Sequence, residues 1–127
     1  MDNHGEKQAW SKLETIRGML DRVDNAEEHS EEYDKAIEAI QEYPLEVSVR
    51  SGWTGVNEEM RPDSFMILLC TGGPAVRITG RLDEFGTPDR AQIEYQDWYE
   101  PWTRLKGLTK DEEEALITYA SEFYYAD

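Results

Sequence analysis

The spacing of apolar residues changes twice along this chain, and that change most limits the folds it can adopt. Residues 5–23 carry apolar side chains every three or four positions: Trp10, Leu13, Ile16, Leu20 and Val23. This spacing predicts an amphipathic helix with one buried face. After residue 44 the period falls to two, and it returns to helical spacing after residue 109. The pattern therefore predicts helices at both ends of a run of strands.

A second helix is expected to end at Tyr43, because Pro44 cannot continue it. Its start stays open between Asn25 and Ser30, since both residue types cap helix N-termini well. Its apolar stripe consists of Tyr33, Ile37 and Ile40.

Four strands are predicted near residues 45–50, 65–70, 76–82 and 91–96, separated by a long loop and two turns. The run at 65–70 is continuously apolar, which predicts a strand covered on both faces. Thr109 and Glu112 have capping-box spacing, so a helix should begin there. The expected fold class is α+β: two N-terminal helices, a four-stranded antiparallel sheet (meander), and a C-terminal helix packed on one face. We expect a single domain over 1–127, with an acidic helical segment at 1–44, the sheet at 45–104 and the helix at 109–124.

Charge is distributed unevenly, with a net value of −15 from 28 acidic and 13 basic residues. Residues 1–44 hold twelve acids and five bases, residues 45–108 hold ten and seven, and residues 109–127 hold six and one. Such a chain repels nucleic acid and anionic membranes and is attracted to basic surfaces. The expected partner is a basic nucleic-acid-binding protein, with no direct contact to nucleic acid or membrane.

One acidic cluster has a geometry of its own on the second predicted helix. At 100° per residue five carboxylates fall within an arc of about 80°, opposite the apolar stripe: Glu27, Glu31, Asp34, Glu38 and Glu42. We call them the carboxylate stripe. Their spacing of about 5–6 Å is comparable with that of phosphates along one nucleic-acid strand. The stripe is therefore a candidate partner-binding surface, and the alternative is an ordinary solvated helix face.

Three tryptophans near loops or strand ends are candidate interface anchors: Trp53, Trp98 and Trp102. The alternative is that they cover the open end of the sheet.

Three arginines alternate outward from the first and third strands: Arg50, Arg77 and Arg81. Cross-strand ion pairing, for example with Glu94, is the favoured interpretation. A site for a small anion or peptide on this sheet face is the alternative function.

Catalytic patterns are weak. Cys70 lies in an apolar run, which suits an inert thiol in a reducing cytoplasm, and neither His4 nor His29 adjoins a motif that would orient an imidazole. No metal-binding spacing occurs, so no enzyme activity and no cofactor are expected, and a divalent-metal enzyme using clustered carboxylates is a minor alternative.

No apolar stretch approaches the ~18–20 residues of a membrane span or forms a secretory signal. We expect a soluble cytoplasmic protein.

Residues 45–103 carry the segments VSVRSGW (47–53), ILLCTGGPA (67–75), EYQDW (94–98) and PWT (101–103). With these segments the chain resembles a family of small acidic proteins of uncharacterised type, carried on bacterial phages and other mobile elements. By size and acidity it also resembles anti-CRISPR and anti-restriction proteins. The resemblance implies a phage-encoded, non-catalytic inhibitor that occupies a nucleic-acid-binding or nuclease-recruitment surface of a CRISPR-Cas effector complex in a bacterial host cell. Mimicry of a nucleic acid is one way in which such an inhibitor would bind.

Overall fold

The computed structural model describes residues 4–125, and over that range the chain forms three helices and five strands. In chain order these are α1 (His4–Asn25), α2 (Glu31–Glu42), β1 (Glu46–Ser51), β2 (Pro62–Cys70), β3 (Ala75–Leu82), β4 (Pro88–Gln96), β5 (Thr103–Arg104) and α3 (Lys110–Ala120). The α+β class is as predicted. None of the helices within 4–125 is long and apolar enough to cross a membrane.

The strands form an antiparallel meander in the order β1-β2-β3-β4-β5. The predicted count of four strands was one too low. β5 contains two residues, Thr103 and Arg104, which pair with Tyr95 and Glu94 of β4. Two residues are too few for an alternating pattern, so this strand exists only because the chain returns along β4.

The core lies between one sheet face and the helices. Ile67, Ile78 and Ile93 stand opposite one another on β2, β3 and β4, and each is fully buried. Leu13 of α1 and Leu116 of α3 belong to the same buried cluster. α1 contacts β3, β4, α2 and α3, so it is the middle helix of the layer. The prediction that helices pack on one face of the sheet is therefore confirmed for α1 and α3.

The prediction that the strand at 65–70 is covered on both faces was wrong. Its side chains alternate between buried positions, such as Phe65 and Ile67, and half-buried ones, such as Met66 and Leu68. Met66 and Leu68 point away from the helices, onto what we call the open sheet face. Apolar residues stand at both kinds of position, so the sequence pattern could not separate the faces.

Helix ends follow the predicted caps. The Tyr33 backbone N–H donates to Ser30 Oγ over 3.1 Å, which places the start of α2 at Ser30 rather than Asn25. The Thr109–Glu112 capping box is confirmed, with hydrogen bonds of 2.9 and 3.2 Å. α3 ends at Ala120, four residues before the predicted end at 124. The chain turns there, and the Tyr125 ring packs on Phe65 at 5.2 Å between centroids.

One cap comes from a residue far along the chain. The Gly5 backbone N–H, in the first turn of α1, donates to Asp97 Oδ1 over 2.8 Å. A carboxylate at a helix N-terminus also interacts favourably with the helix dipole. Asp97 follows β4 directly, so this bond fixes α1 to one end of the sheet.

Candidate protein-binding surfaces

The carboxylate stripe lies on the solvent side of α2. All five of its acids are exposed, and α2 buries the opposite side through Ala36 and Ile40. Glu31 pairs with Lys35 at 3.2 Å. Within residues 4–125, the carboxylates of Asp34, Glu38 and Glu42 have no hydrogen-bond or ion-pair partner. Glu27 precedes the Ser30 cap, so it lies outside the helix and does not continue the helical spacing.

A second acidic surface adjoins the stripe and was not predicted from the sequence. A groove of about 270 Å³ between α1 and α3 is lined by five carboxylates: Asp21, Asp24, Asp111, Glu114 and Glu122. Arg17 is the base that lines it, and this guanidinium lies 3.7 Å from Glu112.

The stripe and the groove meet near the C-terminal ends of α2 and α3. Gln41 Nε2 donates to the Glu122 carbonyl oxygen over 3.5 Å, and the Tyr119 hydroxyl donates to the Ile40 carbonyl over 3.4 Å. Gln41 directly precedes Glu42 of the stripe, and Glu122 lines the groove. The stripe and the groove are therefore neighbours on the helix layer, and we call the two together the acidic helix face. Sequence spacing could not reveal it, because the carboxylates belong to three separate helices.

The three candidate tryptophans do not form one surface. Trp53 is fully exposed in the loop after β1, and Trp98 is 68% exposed beside the β2–β3 turn, at the other end of the sheet. Trp102 is half-buried, and the Arg77 guanidinium stacks on its ring at 4.0 Å. Because Arg77 belongs to the open sheet face, Trp102 lies on the side opposite the carboxylate stripe.

The open sheet face holds a groove of about 540 Å³ whose basic lining residues are Arg50, Arg77, Arg81 and Arg90. The predicted cross-strand pairing is confirmed: Arg77 Nε donates to Glu94 Oε1 over 2.7 Å. Arg81 binds Asp89 through two hydrogen bonds of 3.0 and 3.1 Å. Hydrogen bonding to Arg81 lowers the pKa of Asp89.

Arg90 was not identified from the sequence, although it stands directly opposite Arg81. Arg90 continues the alternation of Gln92 and Glu94, but the predicted strand began at residue 91 and so excluded it. The pairing shifts register beyond Arg90, so alternation could not place Asp89 on this face. Within residues 4–125, the guanidinium groups of Arg50 and Arg90 form no ion pair or hydrogen bond with a carboxylate, although the charge of Arg90 also helps to lower the pKa of Asp89.

The remaining chemical candidates lie apart from one another. Cys70 is half-buried, and its Sγ lies 3.8 Å from the Pro74 carbonyl oxygen. His29 is exposed and has a left-handed backbone with φ of 66°. Across the described part of the chain, no group of three or more His, Cys, Asp or Glu side chains is arranged to hold a metal ion.

No protein-family model, curated protein or solved structure matches this chain. The resemblance of residues 45–103 to phage and mobile-element proteins therefore stays a prediction.

Proposed function

We propose that this protein is a non-catalytic inhibitor that binds a basic, nucleic-acid-binding surface of another protein through the acidic helix face. In its most specific form, the proposal is a phage-encoded anti-CRISPR-type inhibitor of a CRISPR-Cas effector complex. The observation that carries it is the exposure of Asp34, Glu38 and Glu42 without partners, beside a second carboxylate-lined groove. Asp34 lies in the first turn of α2, where the helix dipole favours a negative charge. Glu38 and Glu42 are neither paired nor near a helix N-terminus, so the stability of the fold does not explain them.

Electrostatics explains why such a face would recognise a nucleic-acid-binding protein. Basic grooves attract a surface of regularly spaced negative charges, and this attraction accelerates association at low salt. Glu38 and Glu42 are four residues apart on one helix face, which separates such side chains by about 5–6 Å. A rigid helix thus presents its charges at fixed intervals, as a nucleic-acid strand does.

The structure also changes which residues belong to the proposed surface. Glu27 lies before α2, and Trp102 lies on the open sheet face, so neither extends the helical stripe. The acids of the α1–α3 groove, among them Asp21 and Glu114, take their place. Trp53 and Trp98 lie at opposite ends of the sheet and would need separate contacts with a partner.

Charge reversal with a matched control tests this proposal. Asp34→Lys, Glu38→Lys and Glu42→Lys, combined, remove the unpaired stripe carboxylates. The control combines Glu58→Lys, Glu59→Lys and Glu84→Lys, which change the net charge equally at exposed loop positions. Circular dichroism should show both variants folded, because all six side chains are exposed.

The readout is inhibition of plasmid interference in cells carrying a panel of CRISPR-Cas systems, followed by pulldown of the target at low and raised salt. We expect the stripe variant to lose inhibition, the control to keep it, and raised salt to weaken capture. Equal loss of inhibition in both variants would show that net charge rather than the stripe matters, and full inhibition by the stripe variant would contradict the proposal. If neither the wild type nor the control inhibited any of these CRISPR-Cas systems, the result would contradict the proposal.

A second candidate function is anion or acidic-peptide binding in the open-face groove. Arg90 favours it, because this guanidinium forms no ion pair and stands opposite Arg81, and like charges opposite one another in a sheet repel. The single carboxylate of Asp89, which binds Arg81, offsets only part of that repulsion. An anion bridging the two arginines would relieve the remainder. Phosphate should then raise the melting temperature of the wild type and of Arg61→Ala, an exposed loop control, but not that of Arg90→Ala. No phosphate-dependent shift in the wild type would argue against a phosphate site.

A further inference from the structure

The outer edge of β1 is open to pairing with another strand. β1 hydrogen-bonds to β2 along one side, and no described strand lies along its other side. Backbone N–H and C=O groups of alternate residues therefore face outward. Edge strands are commonly protected by proline, lysine or a very short length. The six residues of β1, EVSVRS, contain neither proline nor lysine.

One side of β1 is also apolar and uncovered. Val47 and Val49 stand opposite Ile67 and Phe65, so their side chains point to the helix side of the sheet. Ile67 and Phe65 are buried, whereas Val47 is 37% exposed and Val49 is 46% exposed. The helices pack on β3 and β4 and leave this edge bare. A neighbouring strand would bury these two valines.

The charges on the other side of β1 are self-complementary. In an antiparallel pair of two β1 strands centred on Ser48, Glu46 of each copy stands opposite Arg50 of the other. The same register places Val47 opposite Val49. Glu46 and Arg50 have no side-chain hydrogen bond or ion pair within residues 4–125, and their neighbours on β2, Leu68 and Ser64, are uncharged. Opposite charges across a strand pair attract, and like charges repel.

We propose that β1 pairs antiparallel with β1 of a second copy of this chain about a two-fold axis at Ser48. The pairing joins two five-stranded sheets into one of ten strands, as expected for a self-complementary C2 interface. Alternation keeps equivalent side chains on the same side. Both acidic helix faces then lie on one side of the dimer. This proposal does not depend on the proposed function, because it uses none of the stripe residues.

A charge-swap series tests the register. Glu46→Arg places arginine opposite arginine at both ends of the paired strands, and Arg50→Glu places glutamate opposite glutamate. The dimer dissociation constant of each single variant should be at least about tenfold higher than that of the wild type. The double variant Glu46→Arg/Arg50→Glu restores both opposite-charge pairs and should regain dimerisation. An equimolar mixture of the two single variants should form a heterodimer, because both of its charge pairs are again complementary.

Sedimentation velocity and native mass spectrometry of the full chain provide the readout, with circular dichroism to confirm that each variant is folded. The proposal is supported by a wild-type dimer, weakened single variants and recovery in the double variant and the mixture. A monomeric wild type at about 100 μM would overturn it, because a dimer that weak does not form a stable interface. A dimer that all five samples form equally well would also overturn it, because the contact would then lie elsewhere.

Discussion

At the scale of single residues, two buried tyrosines make stability depend on pH. Tyr119 and Tyr125 are 0% and 6% exposed, and their hydroxyls donate to the Ile40 and Ala120 carbonyls over 3.4 and 2.7 Å. Burial raises the pKa of both phenols above the usual value of about 10. A raised pKa in the folded state means that stabilisation is complete below about pH 10 and is lost at higher pH.

We therefore expect the free energy of unfolding to fall steeply above about pH 10. Urea unfolding between pH 8 and 11 measures it. Tyr125→Phe should lose about 1 kcal/mol at pH 8 with its hydrogen bond, but show a shallower alkaline decline. Tyr124→Phe is the matched control, because Tyr124 is 81% exposed. A decline as steep in the double variant Tyr119→Phe/Tyr125→Phe as in the wild type would contradict this explanation.

At the scale of elements, the same residue type has opposite effects in a strand and in a helix. A Cβ at Gly80 of β3 would collide with the Arg90 carbonyl oxygen and with the Phe65 ring. A Cβ at Gly18 of α1 would meet nothing within 4 Å. Gly80 therefore lets the Phe65 ring lie across β3. Gly18 has no such packing role and only adds conformational freedom to the unfolded chain.

Alanine at these two positions should accordingly change stability in opposite directions. Gly80→Ala should lower the free energy of unfolding by about 1–3 kcal/mol, as overpacking does. Gly18→Ala should raise it by about 0.5–1 kcal/mol through helix propensity. Chemical denaturation of both variants measures the difference, and a neutral Gly80→Ala would show that β3 can move away from Phe65.

At the scale of the whole molecule, acidic residues outnumber basic ones most strongly in α2 and α3, whereas α1 is balanced. The net charge of −15 opposes compaction, and salt screens this repulsion over a Debye length that falls from about 30 Å at 0.01 M to about 8 Å at 0.15 M. Thermal unfolding should show a melting temperature that rises by a few degrees over this range. The triple stripe variant, with three replacements of two charges each, changes the net charge from −15 to −9. With the same increase in salt, its melting temperature should rise less than that of the wild type. An equal rise in the two proteins would show that the repulsion lies outside the stripe.

For the candidate surfaces, prediction succeeded where partners are close in sequence or in strand register. The Thr109–Glu112 capping box spans three residues, and Arg77 stands opposite Glu94 in an ordinary antiparallel register. Arg90 was missed because the predicted strand began at residue 91, whereas β4 begins at Pro88 beyond a register shift that local alternation does not reveal. The α1–α3 groove was missed because it combines carboxylates of two helices that are far apart in sequence.

The sequence alone determined the α+β class, the meander of strands and the solvent-facing position of the stripe, because each depends on local periodicity and on turns between neighbouring elements. Tertiary structure alone decided which side of β2 is covered, where the two-residue β5 forms and how Asp97 caps α1 from 92 residues away. It also decided that Trp102 and the stripe lie on opposite sides of the sheet. These features depend on which faces the helices cover, and that choice is set by burying the most apolar surface across the whole chain rather than by any local pattern.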